Sequence, residues 1–362
     1  MPRKSKDRLE EYSQKRHFER TPEPAGVPVV SGNRSRPRFV IHEHHARSLH
    51  WDLRLEREGV LVSWAIPKGL PVDPGKNRLA VHVEDHPLSY IDFEGKIPEG
   101  EYGAGEIKIW DRGHYEVERF GEKKVVVTLE GERARGRFAL FQTDGKNWLI
   151  HRMDREPGRE PLPEGLAPML ASPGRVPEDD RGWAYEILWE GLRALVFVEG
   201  GRARIMTADG DEATQAYPEV ARIGRALGAR TAVLDGEIVV LEDGRSSRER
   251  LEARMSSKVR SVRTRAKTNP VHYTVFDVLY LDGHAVTAKP YSERRKLLEG
   301  LRLEGPAWQT PTFHEGDGRA LLDAARQKGL AGLVAKRLDA PYEPGKRSDA
   351  WLEIRSTGRR KR

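Results

Sequence analysis

From residue 38 to about residue 152 no segment of the chain has a helical period, and that excludes most of the ways in which it can fold. Short alternating runs are broken by turn signals at Gly59, residues 67–69, 73–75, 100–105 and 111–113, Gly131 and Asp144-Gly145. Strands this short cannot be stable singly, and their unpaired edges need covering. The spacing therefore predicts an all-β unit, a closed or nearly closed β-barrel.

Two of the expected strands spend a whole face on ionisable groups. In residues 41–56, IHEHHARSLHWDLRLE, alternation from His50 onward puts His50, Asp52 and Arg54 on one face and Trp51, Leu53 and Leu55 on the other. His44 is close enough in sequence to fold back toward the first set. Two imidazoles and a carboxylate suit a divalent transition metal such as manganese or zinc, and Arg54 beside them can hold a phosphate bidentately. Residues 79–90, LAVHVEDHPLSY, repeat the device, with Val81 and Val83 pointing one way and His82, Glu84 and His86 the other. The alternative is a solvated surface face, but that does not explain the choice of His over the commoner Lys, Glu and Thr.

At 362 residues the chain is long enough for two or three domains. Charged residues make up 33% of it, the net charge is +7 and the pI is near 9.4, a balance that favours a polyanionic partner. Nucleic acid fits better than membrane, since no apolar run approaches the roughly 18 residues of a spanning helix and no signal peptide precedes the first charges. With no cysteine, any metal must be held by His and carboxylates, and a cytoplasmic, nucleoid-associated location is expected.

Residues 1–36 carry nine Lys or Arg against five Asp or Glu and read as a basic flexible arm, with a short amphipathic helix over residues 8–18 ended by Thr21-Pro22-Glu23-Pro24. The barrel unit follows over 37–155, then a linker over 156–167, in a stretch where proline recurs at Pro161, Pro163 and Pro168. A second domain spans 168–356, with a basic tail over 357–362. In that domain, strands over 185–199, 202–207, 233–241, 273–280 and 332–337 are interleaved with helices over 213–227 and 319–328, an α+β pattern. Residues 260–267, RSVRTRAK, read as a loop whose four cations suit a phosphate backbone.

On these residues the first zone resembles the 3′-phosphoesterase domain of bacterial DNA ligase D, and the stretch HPLSYIDFEGKIPEGEYGAG is characteristic of that family. Residues 166–355 resemble the adenylating domain of ATP-dependent DNA ligases, an α+β nucleotidyltransferase fold of the ATP-grasp type. The first resemblance implies that His44, His50 and Asp52 bind manganese. It also implies that Arg54, Lys68, Arg78 and His86 contact phosphate or act in catalysis, and that Glu84 and Tyr90 are needed for activity. The arm sequence KRHFERTPEP resembles the family as well, implying contributions from Arg16 and Glu23. His17 stands where the family has an Asp, and an imidazole cannot supply that charge.

The second resemblance carries departures. The family attacks ATP with the lysine of a K-x-D-G motif, where this chain reads Leu188-Trp189-Glu190-Gly191, and leucine has no nucleophile. Ala208 stands in place of an arginine, Ala331 of a glutamate and Glu353 of a lysine. Asp235-Gly236-Glu237, Phe276-Asp277, Lys336 and Trp351 survive, so Glu237, Phe276 and Lys336 remain as a residual nucleotide pocket. The chain reaches Arg362 without an OB-fold. This half is expected to keep its fold without using ATP or sealing nicks.

Together the resemblances imply a manganese-dependent enzyme that removes a 3′-phosphate or 3′-ribonucleotide from a primer-template DNA end during non-homologous end joining. Ku and a separate polymerase or ligase are the implied partners, and no membrane is involved. Manganese, Arg54, Lys68 and Arg78 would share the phosphate charge, while His86 would stabilise the transition state or donate a proton. The alternative is a non-catalytic DNA-end-binding scaffold that recruits repair partners. A third reading, an active ATP-dependent ligase, runs against Leu188.

Overall fold

The computed structural model describes residues 8–26, 36–156, 158–256 and 261–356. They belong to two compact units, Met1–Pro161 and Leu162–Arg362. In the first unit the strands are β1 (Arg38–His45), β2 (Leu49–Arg57), β3 (Val60–Ile66), β4 (Arg78–His82), β5 (His86–Pro87), β6 (Gly95–Ile97), β7 (Gly105–Phe120), β8 (Lys124–Glu130), β9 (Arg135–Asp144) and β10 (Asn147–Arg152). The sheet order is β1-β2-β3-β4-β10-β9-β8-β7-β6, and β7 also pairs with β1. That extra pairing closes an eight-stranded antiparallel barrel, with β5 and β6 outside the circuit. Closure leaves its strands no free edge, which is how a chain of short strands satisfies its backbone.

The period-2 alternation sorts the side chains as expected. Phe39 lies opposite Leu55, Ile41 opposite Leu53, Leu53 opposite Trp64, and Ile150 opposite Leu140, so one face of the wall is continuously apolar and buried. This is the barrel interior. The outer face of β1 and β2 presents Val40, His42 and His44 opposite Arg54, Asp52 and His50. It is buried too, because residues 8–26 and the segment after β5 lie over it and form a cluster of Tyr12, Leu88, Tyr90, Ile91 and Ile97 on Val40, Leu61 and Ile107. Each such side chain taken from water contributes roughly 1.5–3 kcal/mol, which holds the cover in place.

Several expectations need correction here. Residues 8–26 are not a flexible arm: Tyr12 is fully buried, its hydroxyl donates to the Pro24 carbonyl (2.8 Å), and the helix is only α1 (Glu10–Gln14) before the chain turns at His17. Charge composition hides this, because the two residues that anchor the segment, Tyr12 and Arg16, are a small part of it. Residues 27–35 lie outside the described residues. The run 79–90 is not one strand either. β4 ends at His82, which lies opposite Trp64 on the interior face; the Val83 N–H still donates to the Ser63 carbonyl (3.0 Å), after which the chain leaves the ladder and returns with His86 opposite Leu61 on the outer face. His82 and His86 therefore point to opposite sides of the wall.

The second unit has a seven-stranded sheet built on Leu192–Glu199, Ala232–Val239 and His272–Leu281, and a five-stranded sheet built on Trp183–Ile187, Gly332–Arg337 and Arg347–Arg355. Met169, Leu195, Phe197, Val233, Phe276, Tyr342 and Trp351 form a core shared by the two sheets. Helix Tyr291–Gly300 packs on the larger sheet and Gly318–Gln327 on the smaller. This is the α+β nucleotidyltransferase-like arrangement. The expected strand over 185–199 is instead two strands split by residues 188–191, and the strand over 233–241 stops at Val239. The helix over 213–227 is two short ones, Pro218–Ala221 and Ile223–Leu227. Pro218 sits in the first turn, where a missing N–H costs nothing. The cation-rich loop 260–267 contains a helix, Val262–Thr268, capped by the Ser261 hydroxyl accepting from the Thr264 N–H. Strand Leu170–Pro173 pairs in parallel with Arg347–Arg355, just past the expected linker. Among the described residues no helix is long and apolar enough to cross a membrane.

Candidate active site

β1 and β2 run antiparallel with His44 directly opposite His50 and His42 opposite Asp52, which gathers imidazoles and a carboxylate on the outer wall. One donor atom each from His44, His50 and Asp52 lies within 4.8 Å of the other two. His44 Nδ1 is 3.9 Å from Asp52 Oδ2, and His50 Nε2 is 3.8 Å from Asp52 Oδ1. The other nitrogen of each ring faces a backbone carbonyl: His44 Nε2 that of Gly103 (2.8 Å), His50 Nδ1 that of Ser48 (3.0 Å). A carbonyl can only accept, so each of these nitrogens carries the proton. The lone pairs of His44 Nδ1 and His50 Nε2 are thereby turned toward Asp52, as a metal site requires. Burial, reinforced by His50, pushes His44 down to about 4, so it is neutral and ready to ligate at neutral pH. Burial alone would raise the Asp52 carboxyl, but Arg54 and the neighbouring imidazoles hold it below its ordinary value.

Arg54 is buried on the outer wall beneath its cover, with its donors engaged by neighbouring side chains. It donates from its two terminal nitrogens to Asp52 Oδ2 (2.9 Å) and Ser63 Oγ (3.0 Å), and from Nε to His42 Nδ1 (3.2 Å). In this arrangement it orients the carboxylate rather than offering a free fork to phosphate. His42 has no exposure, and burial together with Arg54 pushes it down to about 3, so it is a neutral acceptor. Sequence reading passed over His42, although its position two residues before His44 on a strand was the signal that could have found it.

A second network lies beside the first and joins the cover to the wall. Arg16 donates to Glu23 Oε1 (2.8 Å), to Glu84 Oε1 (3.1 Å) and to His86 Nε2 (3.2 Å), while Tyr90 donates its hydroxyl to Glu23 Oε1 (2.9 Å). Lys15 donates to the other Glu84 oxygen (2.9 Å). With Nε2 accepting from Arg16, His86 carries its proton on Nδ1, which donates to the Glu84 carbonyl (2.8 Å). Burial, then the Arg54 and Arg16 charges, push His86 far below its ordinary value. Burial lifts Tyr90 well above its own. The two networks meet where the Arg54 guanidinium lies 4.9 Å from the Tyr90 ring centre.

Lys68 and Arg78 stand apart from this cluster. Lys68 is exposed on the loop after β3, and Arg78 donates to the carbonyls of Lys68 and Leu70, securing that loop. His17 is also exposed, with Nδ1 2.9 Å from Glu101 Oε2. Lys15 and Tyr12, both in contact with the buried network, had no sequence signal of function.

In the second unit a cavity of about 300 Å³ is lined by Leu188, Glu190, Glu237, Phe276, Lys336 and Glu353, among others. Lys336 is buried, donates to Glu186 Oε2 (2.8 Å), and lies 4.4 Å from the ring centres of both Phe276 and Trp351. Burial lowers its pKa against the pull of Glu186. Arg355 spans the cavity lining, donating to Glu190 Oε1 (2.9 Å) and Glu353 Oε1 (2.8 Å). Ala208 and Ala331 do not belong to this lining: Ala208 donates its N–H to the Arg193 carbonyl and Ala331 accepts from the Ser356 N–H.

Residues 42–142 match the DNA ligase D 3′-phosphoesterase domain family, and residues 168–355 match the ATP dependent DNA ligase domain family. The multifunctional non-homologous end joining protein LigD of Mycolicibacterium smegmatis is 43% identical over 361 residues, an alignment covering 96% of this chain and 45% of that protein. The corresponding protein of Pseudomonas aeruginosa is 34% identical over 405 residues, covering 96% of this chain and 47% of its own length. The chain thus spans about half the length of these curated relatives. A solved structure of mycobacterial DNA ligase D complexed with ATP and MES is 35% identical, with a TM-score of 0.45, over 52% of this chain and 60% of that one.

Proposed function

Since the chain belongs to the DNA ligase D family, with a 3′-phosphoesterase domain ahead of an ATP-dependent DNA ligase domain, we propose that it heals DNA 3′ ends with a manganese-dependent phosphoesterase site and does not seal nicks. The observation that carries the first part is the donor set of His44 Nδ1, His50 Nε2 and Asp52, with both ring tautomers fixed by carbonyls so that the lone pairs converge. This set of two nitrogens and one carboxylate suits manganese and related divalent ions. A bound ion would supply Lewis-acid charge at a non-bridging phosphate oxygen.

The rest of the chemistry falls to side chains. Arg54 keeps Asp52 ionised and aimed, and Lys68, exposed on a loop secured by Arg78, is free to meet a phosphate oxygen from solvent. His86 accepts from Arg16 and is neutral, so it serves as a fixed acceptor that orients Arg16 beside the site. Glu84, Glu23 and Tyr90 complete the pairing of Arg16. In the second unit Leu188 occupies the pocket where the family resemblance places the nucleophile, and the carboxylates of Glu190 and Glu353 claim Arg355 for themselves. On this reading the 300 Å³ cavity keeps the aromatic and lysine lining of a nucleotide site without covalent adenylation. The substrate is a primer-template 3′ end bearing a phosphate or ribonucleotide, and its 3′-OH product passes to a polymerase or ligase elsewhere, with Ku as a candidate partner.

Hydrolysis of a labelled primer-template ending in a 3′-phosphate, with manganese and with chelator, tests the first part. Manganese-dependent conversion to a 3′-OH is expected. DNA binding without conversion would point to the end-binding scaffold instead. Incubation with α-labelled ATP tests the second part, and a stable protein–AMP adduct would overturn it.

A further inference from the structure

We propose that Tyr102 is the platform on which the 3′-terminal nucleobase stacks, an assignment that rests on the phosphoesterase reading above. Three successive residues of the turn before β7 fasten three different parts of the site. Glu101 holds His17 Nδ1 at 2.9 Å, Tyr102 packs its ring against Lys15 Nζ (4.9 Å) and the Arg16 guanidinium (5.6 Å), and the Gly103 carbonyl accepts from His44 Nε2. Gly100 and Gly103 adopt φ of +94° and +77°, a conformation that favours glycine and makes the turn tight enough for all three contacts. The tyrosine is therefore a rigid fixture of the metal site, one residue from the carbonyl that sets a ligand's tautomer.

Tyr102 is 48% exposed, and among the described residues it is the one exposed aromatic. Single exposed aromatics are ordinary on protein surfaces, and exposure alone would assign nothing. What distinguishes Tyr102 is its surroundings. Lys15 and Arg16 are themselves paired with Glu11, Glu23 and Glu84, so the cations beside the ring are anchored to the site's carboxylates. Tyr102 directly precedes the residue whose carbonyl accepts from His44 Nε2, and its ring lies 4.9 Å from Lys15 Nζ, which donates to Glu84 in the adjoining network. A terminal phosphate at the histidines thus brings its own base within reach of the ring. Every base has a π-face, so such a platform accepts any 3′ terminus, which an end-healing enzyme needs. A preformed ring loses little freedom on binding.

The test compares wild type, Tyr102→Phe and Tyr102→Ala on two 3′-phosphate primer-templates, one with an intact terminal nucleotide and one abasic there. Binding is read by fluorescence anisotropy and hydrolysis by KM and kcat. For the intact end, Tyr102→Ala is expected to raise Kd and KM about tenfold, with a much smaller change in kcat, and Tyr102→Phe to behave as wild type. For the abasic end the Tyr102→Ala loss should be several-fold smaller than for the intact end, because there is no base to stack and only the ring's contacts with Lys15 and Arg16 are removed. Equal losses on both substrates, or none on either, would overturn the platform. Wild type that binds the intact end more tightly than the abasic one but hydrolyses neither would remove the phosphoesterase reading while leaving the platform standing.

Discussion

His50 and Asp52 each give the proposed metal one donor atom, so His50→Ala or Asp52→Ala leaves two donors where three converge. Either change is expected to cut manganese-dependent hydrolysis of a 3′-phosphate primer-template at least about a hundredfold while DNA binding is retained. Substantial metal-dependent activity in both would remove the ligand set. In the second unit Glu237 makes a pH prediction. Burial, with Asp235 adding repulsion against the pull of Arg193, lifts its carboxyl to about 7, above an ordinary value of 4.5. The folded state therefore binds this proton more tightly than the unfolded one. The associated stability is present below pH 4.5 and is lost as pH rises through 7. Glu237→Gln, whose amide oxygen can still accept from Gly191 N, should raise stability by about 1–2 kcal/mol well above pH 7 and change nothing below 4.5, as read by urea denaturation. At this scale His44, His50, Asp52 and Arg54 were legible because a strand's alternation fixes which side chains share a face. His42 obeyed the same rule and was missed because the pattern was followed only forward from His50. The engagement of Arg54 by Asp52 was not legible, since which oxygen an arginine takes is decided by packing.

Among the elements, the segment over the wall does the most to complete the site. Arg16 is buried between Glu23, Glu84 and His86, and its removal would leave Glu23 in the interior without a cation, while Glu84 keeps Lys15. Arg16→Met is expected to cost about 3–5 kcal/mol of docking free energy. Hydrogen exchange should then show lost protection in the Glu10–Gln14 helix while the β1–β2 amides stay protected. Unchanged protection in the helix would mean that Tyr12 and its apolar neighbours hold the cover unaided. The barrel strands could be read from turn residues and alternation, yet the packed arm could not, because a basic composition describes its exposed side chains and says nothing of the few that anchor it. The run 79–90 misled for a related reason. Its alternation continues through residues 84 and 85 although the backbone has left the ladder there, and sequence periodicity does not record hydrogen bonds.

For the whole molecule, division into a barrel and an α+β unit followed from the change of period along the chain and from the proline-rich stretch between them, whereas the nucleotidyltransferase-like character of the second unit came from the family resemblance. The fold of the second unit rests on buried pairs as much as on apolar packing. Arg294 and Asp277 have no exposed side-chain surface and bond through two contacts of 2.9 Å. Arg294→Met should destabilise this unit by about 3–5 kcal/mol in chemical denaturation, and a loss under 1 kcal/mol would show that Asp277 finds another partner. One feature of the barrel also fixes an order in time. The three metal-ligand candidates lie within nine residues, 44 to 52, on a hairpin whose two strands are joined by three residues, and hairpins close in about 1–10 μs. The groups that roof them, from Arg16 to Glu84 and His86, are 68 and 70 residues apart in the chain and must await a far larger loop closure. On these timescales the site would assemble from the floor upward, open to ions from the surrounding solution before its roof exists. Pulse-labelled exchange during refolding should find β1 and β2 protected first and the Tyr12 segment last.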